Sequence, residues 1–168
     1  MRRLLLTFTA AALLAACSQS SDNQSGGQAQ TATTAAAATT MQMPNGTTAP
    51  AGTPDRTVAV AASDTLRFQP AAIQVRAGET VAFRVTNGGK LMHEFVIGDQ
   101  AFHQKHEQEM QQMGGQPMGD EANAITVPAG QTKTLVYTFQ QPGALVFACH
   151  VAGHYQAGMK GTVTAAAA

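Results

Sequence analysis

The chain has 168 residues, with ten Lys and Arg against ten Asp and Glu, so its formal net charge is zero, and 44% of its residues are hydrophobic. That balance leaves no basic patch for nucleic acid, and no run of like charges points to a highly polar partner. About 113 residues follow position 55, enough for one domain around one core.

Arg2 and Arg3 precede an apolar run over residues 4–16 that is too short to span a bilayer as a stable helix, the pattern of a targeting segment. The run ends in Leu14-Ala15-Ala16-Cys17, which resembles the lipobox of bacterial lipoproteins. That resemblance implies removal of residues 1–16, lipidation of Cys17 and a periplasmic protein anchored to a membrane. Ser18 after the cysteine favours the outer membrane, and an ordinary secretory signal is the alternative. Without Arg2 and Arg3 the chain carries eight basic and ten acidic residues, a net −2. Residues 17–55 are an Ala, Thr, Ser, Gln and Gly tract closed by Pro44, Pro50 and Pro54. Such a tract buries too little apolar area to offset chain entropy and is predicted to be a disordered tether. Its ends would lie roughly 35 Å apart on average.

From Arg56 onward hydrophobicity has a period of two. Val58 and Val60 alternate with small residues, Leu66 and Phe68 flank Arg67, and Val81, Phe83 and Val85 alternate with Ala82, Arg84 and Thr86. Further strands are predicted at 72–75, 94–97, 124–127, 132–139, 144–149 and 161–164. Turn residues such as Asn87-Gly88-Gly89 and Pro142-Gly143 separate them. Many short strands with regular turns predict a two-sheet antiparallel Greek-key sandwich over residues 56–164.

Two cysteines are present, and lipidation would consume Cys17, leaving Cys149 alone in an oxidising compartment. A metal bond gives that thiol a reason to be there. The stretch from Cys149 to Met159 offers a thiolate, the His154 imidazole and the Met159 thioether, while His93 upstream offers a second imidazole. Two His and one Cys with a weak axial Met form the ligand set of a blue-copper site, whereas zinc takes four firmer ligands. Alternation places Leu145, Phe147 and Cys149 on one face, with Cys149 ending a buried row.

Over residues 56–164 the chain resembles the cupredoxins. The segments Phe147-Ala148-Cys149 and Gly153-His154-Tyr155-Gln156-Ala157-Gly158-Met159 resemble the ligand loop of plastocyanin- and azurin-type proteins. His93-Glu94-Phe95-Val96-Ile97-Gly98 and the insertion after it are most similar to small cupredoxins found with bacterial copper-tolerance systems. The resemblance implies one type 1 copper held by His93, Cys149 and His154 in the equatorial plane and by Met159 axially. It depart from the common pattern twice: Glu94 stands where Asn or Ser often follows the first histidine, and His150 stands where an apolar residue usually follows the cysteine. Alternation turns His150 away from Cys149, toward the surface or toward a second metal.

Residues 101–115 combine good helix formers with a terminal Gly114-Gly115, predicting an insertion helix of about three turns. On it His103, His106, Met110 and Met113 share one arc, either as a candidate second copper site for Cu(I) or as a packing face against the sandwich. Three uses follow: a copper-tolerance binding protein, a plain one-electron carrier, and, needing another open copper position, a small copper oxidase or reductase. The reading adopted is the first, a non-enzymatic monomer that meets a redox or copper-exchanging protein partner.

Overall fold

The computed structural model describes residues 42–43, 46–47, 53–117 and 119–168. The predicted signal at 1–16, Cys17 and most of the tether lie outside the described residues. The first described elements are two-residue strands, β1 (Gln42–Met43) and β2 (Gly46–Thr47), paired as a hairpin. Within the predicted tether, therefore, these positions take up regular structure, with Thr47 opposite Thr138 on the sandwich.

The alternating segments become β3 (Arg56–Ser63), β4 (Arg67–Gln69), β5 (Ala72–Arg76), β6 (Thr80–Asn87) and β7 (His93–Gly98). After the helix α1 (Gln100–Gln112) come β8 (Ala124–Val127), β9 (Thr132–Thr138), β10 (Gly143–Ala148) and β11 (Lys160–Ala166). One sheet has the order β1-β2-β9-β6-β3-β4 and the other β5-β11-β10-β7-β8. The sandwich is as expected, but its sheets are mixed: β3 runs parallel to β6 and β11 parallel to β5. Alternation reports which face is buried and is indifferent to strand direction, so the two parallel pairs left no mark on the sequence pattern.

The core lies between the sheets. Phe95 sits at its centre, with ring centroids 5.5 Å from both Phe68 and Phe83 and 5.2 Å from Phe147. Phe68 and Phe83 come from one sheet and Phe95 and Phe147 from the other, so these rings couple the two layers. Every residue of β7 is buried, which alternation alone does not predict. Phe95 and Ile97 face the core, and α1 covers the opposite side, where a Cβ on Gly98 would stand 2.4 Å from the Phe102 ring.

The helix begins where Asp99 accepts the Phe102 N–H at 2.7 Å and ends at Met113, followed by Gly114 and Gly115 with φ of +74° and +73°. Gly115 donates to the Met110 carbonyl at 2.7 Å, and a Cβ there would lie 2.5 Å from that of Ala152. The two glycines thus stop the helix and admit the Cys149 loop close beneath it. Phe95→Ala should cost about 3–5 kcal/mol in urea unfolding of the apoprotein, because it removes the ring that joins both layers. A cost under about 1 kcal/mol would mean that the core is organised elsewhere.

Candidate metal centre

Four segments converge at one end of the sandwich. His93 opens β7, Cys149 follows β10, His154 lies in the turn beyond it, and Met159 immediately precedes β11. His93 Nδ1 stands 3.3 Å from His154 Nδ1, and Cys149 Sγ stands 3.3 Å from the same nitrogen. All three donor atoms lie within 4.8 Å of one another; among the described residues they form the one such group of three His, Cys, Asp or Glu ligands. His93 and Cys149 are fully buried, while His154 keeps 7% exposure at the edge. Met159 is fully buried, and its backbone joins the ligand residues: Cys149 N–H donates to the Met159 carbonyl and Met159 N–H to the His154 carbonyl, both at 3.0 Å.

The loops are braced from outside. Gly153 and Gly158 adopt φ of +82° and +89°, allowing the chain to fold back between Cys149 and Met159. Arg67 Nη1 donates to the Ala157 carbonyl at 2.8 Å, tying the ligand loop to β4. On the His93 side, Asp64 accepts the backbone N–H of Lys90 at 2.8 Å and of Leu91 at 3.0 Å. Asn87 Nδ2 donates to the carbonyls of Leu91 at 2.7 Å and Val127 at 3.0 Å. Asp64, Arg67 and Asn87 were not singled out from sequence, because their partners are backbone groups up to 90 positions away.

The electrostatics suit a soft cation. Burial pushes the Cys149 thiol up to about 12, although the N–H groups of Glu94 and Val151 pull it the other way. Glu94 N–H reaches Sγ at 3.3 Å. Burial lowers His93 and His154 below the usual histidine value, and for His93 the neighbouring His154 adds to the effect. Both rings are therefore neutral, with lone pairs free for a metal. A thiolate here is costly alone and becomes stable when a cation meets it. Two imidazole nitrogens and one sulfur, converging in a water-poor pocket, fit copper better than a hard ion.

This donor set joins other observations. Residues 55–166 match the family of copper-binding proteins of the plastocyanin/azurin type. The chain belongs to that family. Among its relatives, the copper-resistant cuproprotein CopI of Rubrivivax gelatinosus is 45% identical over 120 residues, covering 71% of this chain and 72% of the relative. The CopI of Pseudomonas aeruginosa is 36% identical over 147 residues, covering 71% and 81%. Among solved structures, auracyanin B superposes with a TM-score of 0.59 at 26% identity, covering 70% of this chain and 93% of that one. A dithionite-reduced auracyanin of Roseiflexus castenholzii gives 0.58 at 27%, covering 66% and 96%.

Both departures from the common plastocyanin/azurin pattern are buried. Glu94, 2% exposed, accepts the His150 backbone N–H, and burial raises its carboxyl to about 7. The surface alternative for His150 is corrected: it is 1% exposed, because α1 covers the outer face of β10 onto which it points. His103, His106 and Met110 face inward with it, whereas Met113, the C-cap of α1, is 52% exposed. Glu107, four residues beyond His103 and so on the same helix face, bonds His150 Nδ1 at 2.7 Å and was missed in the sequence.

With the Cys149 thiol held near 12 and both histidines neutral at pH 7, metal must displace one thiol proton. Copper uptake by the apoprotein should therefore release one proton per ion. Apparent affinity should rise about tenfold per pH unit between pH 7 and 9. Potentiometric titration checks this, and zero proton release would mean that the thiolate exists beforehand.

Proposed function

We propose that the chain is a type 1 copper protein of the bacterial envelope that serves copper tolerance. The carrying observation is the buried convergence of His93 Nδ1, His154 Nδ1 and Cys149 Sγ, with 45% identity to a copper-resistant cuproprotein as support for the cellular role. Met159 would supply a thioether as the weak fourth ligand; its burial and its backbone bonds to the Cys149 and His154 segments support that assignment. Copper, when bound, supplies one-electron exchange between Cu(I) and Cu(II). The sandwich holds the ligands in place, excludes water and leaves one edge of His154 for exchange of copper or an electron with a partner protein.

Cys17 carries the lipid in this reading, which holds the domain at a membrane. The lipobox-like Leu14-Ala15-Ala16-Cys17 supports it. The second reading, a plain one-electron carrier, draws support from the likeness to an auracyanin whose structure was solved in a dithionite-reduced form.

One copper per chain should give an intense thiolate-to-copper absorption band. Cys149→Ser should abolish that band while far-ultraviolet circular dichroism stays unchanged, since the core rather than the metal holds the sandwich together. In cells lacking the native gene, wild type should restore growth on copper and Cys149→Ser should not. Full tolerance from Cys149→Ser would sink the tolerance role of this site and favour the electron carrier.

A further inference from the structure

Beneath α1 lies a buried polar chain that the type 1 site does not use. His103 Nε2 meets the Val146 carbonyl at 3.0 Å. A carbonyl only accepts, so Nε2 bears the hydrogen and neutral His103 presents a lone pair at Nδ1. That lone pair faces His150 Nε2 at 2.9 Å, so His150 donates from Nε2. The ring centroids are 5.1 Å apart and the planes 16° from parallel, as expected of two rings meeting edge to edge. His150 Nδ1 is then left with a lone pair, and it faces Glu107 Oε2 at 2.7 Å. Two acceptors in contact require a cation between them, either a proton, which makes the contact an imidazolium–carboxylate pair, or a metal ion in its place. A proton on His103 in place of one on His150 would satisfy the same chain, with His150 donating from Nδ1 to Glu107, but burial lowers the His103 ring to about 4 and disfavours that arrangement.

The surroundings suit a metal. A cavity of about 240 Å³ is lined by Glu107, Met110 and His150, together with the glycines that end α1, and gives access from outside. The other Glu107 oxygen is held by Gln111 Nε2 at 3.2 Å and by Gln156 Nε2, which aims Oε2 at the ring. His103, anchored on β10, fixes the tautomer of His150 in the manner of a residue supporting a metal-bound histidine. His106 adds a buried Nε2 without a hydrogen-bond partner, its ring centroid 4.8 Å from that of His150.

We propose that this is a second metal site, in which Cu(I) binds His150 Nδ1 and the Glu107 carboxylate with the Met110 thioether as soft donor, oriented by His103. The ion takes the place of the proton shared by Nδ1 and the carboxylate, which leaves to solvent; no electron is transferred. The candidate set of His103, His106, Met110 and Met113 is thereby redrawn, with His103 as support and Met113 outside it.

The test uses the full chain and Cu(I) competition against a chromophoric chelator, alongside the blue band after oxidation. Glu107→Gln is the informative variant, because an amide N–H can donate to His150 Nδ1 and satisfy the contact without a cation. Wild type should bind a Cu(I) beyond the type 1 equivalent. Glu107→Gln, and separately Met110→Leu, should weaken that ion roughly 10–100-fold while the blue band is unchanged. The retained band confirms folding and separates this result from failure of the type 1 reading. A single Cu(I) per wild-type chain would overturn the proposal, leaving a proton in the contact. So would a further Cu(I) that both variants retain.

Discussion

Cys149 and His150 are neighbours that face opposite sides of one sheet, and the register of β10 on β7 decides which of them looks into the core. Phe147 lies opposite Ile97 and Ala148 opposite Val96, so the next inward position is Cys149. A slip by one residue would send the thiol outward and the imidazole into the apolar interior. The Phe95–Phe147 ring pair opposes that slip. Each ring sits two residues from a ligand, Phe95 after His93 and Phe147 before Cys149, so core packing and ligand geometry are held by the same contacts. The metal site is thus built by the sandwich.

Burial at this end works against charge on any one ligand and in favour of the assembled centre. The thiol is held protonated and both imidazoles neutral, while backbone N–H groups of Glu94 and Val151 wait beside the sulfur. A cation reverses this balance by supplying what the low-dielectric pocket lacks. The braces at Asp64, Asn87 and Arg67 act on the loops rather than on the donor atoms, so they set where the ligands stand without adding charge among them.

The helix after β7 changes what the outer face of that sheet can hold. Without it, Glu94 and His150 would meet water. Beneath it they are buried beside His103 and His106, an expensive collection of polar groups for a surface that Leu and Val could have covered. His103 and His150 are joined in a continuous hydrogen-bonded chain that ends on Glu107. That polar chain lies between α1 and the outer face of the sheet, one residue from Cys149.

The sequence by itself determined the strands from β3 onward and pointed to His93, Cys149 and His154, because burial on one face writes a period of two and because few metals choose His and Cys in that pattern. It also determined the insertion helix, through its helix formers and terminal glycines. Strand direction was left to the tertiary structure, since β3 against β6 and β5 against β11 bury the same residues whether parallel or antiparallel. The fate of His150 was left open too: alternation says only that it points away from Cys149, and whether that direction is water or protein depends on where α1 lies. The same is true of Glu107, an ordinary surface residue by its polarity until the helix docks and its carboxylate meets a ring 43 positions away. Local pattern reports which side a residue faces; what waits on that side is decided by contacts distant in the chain.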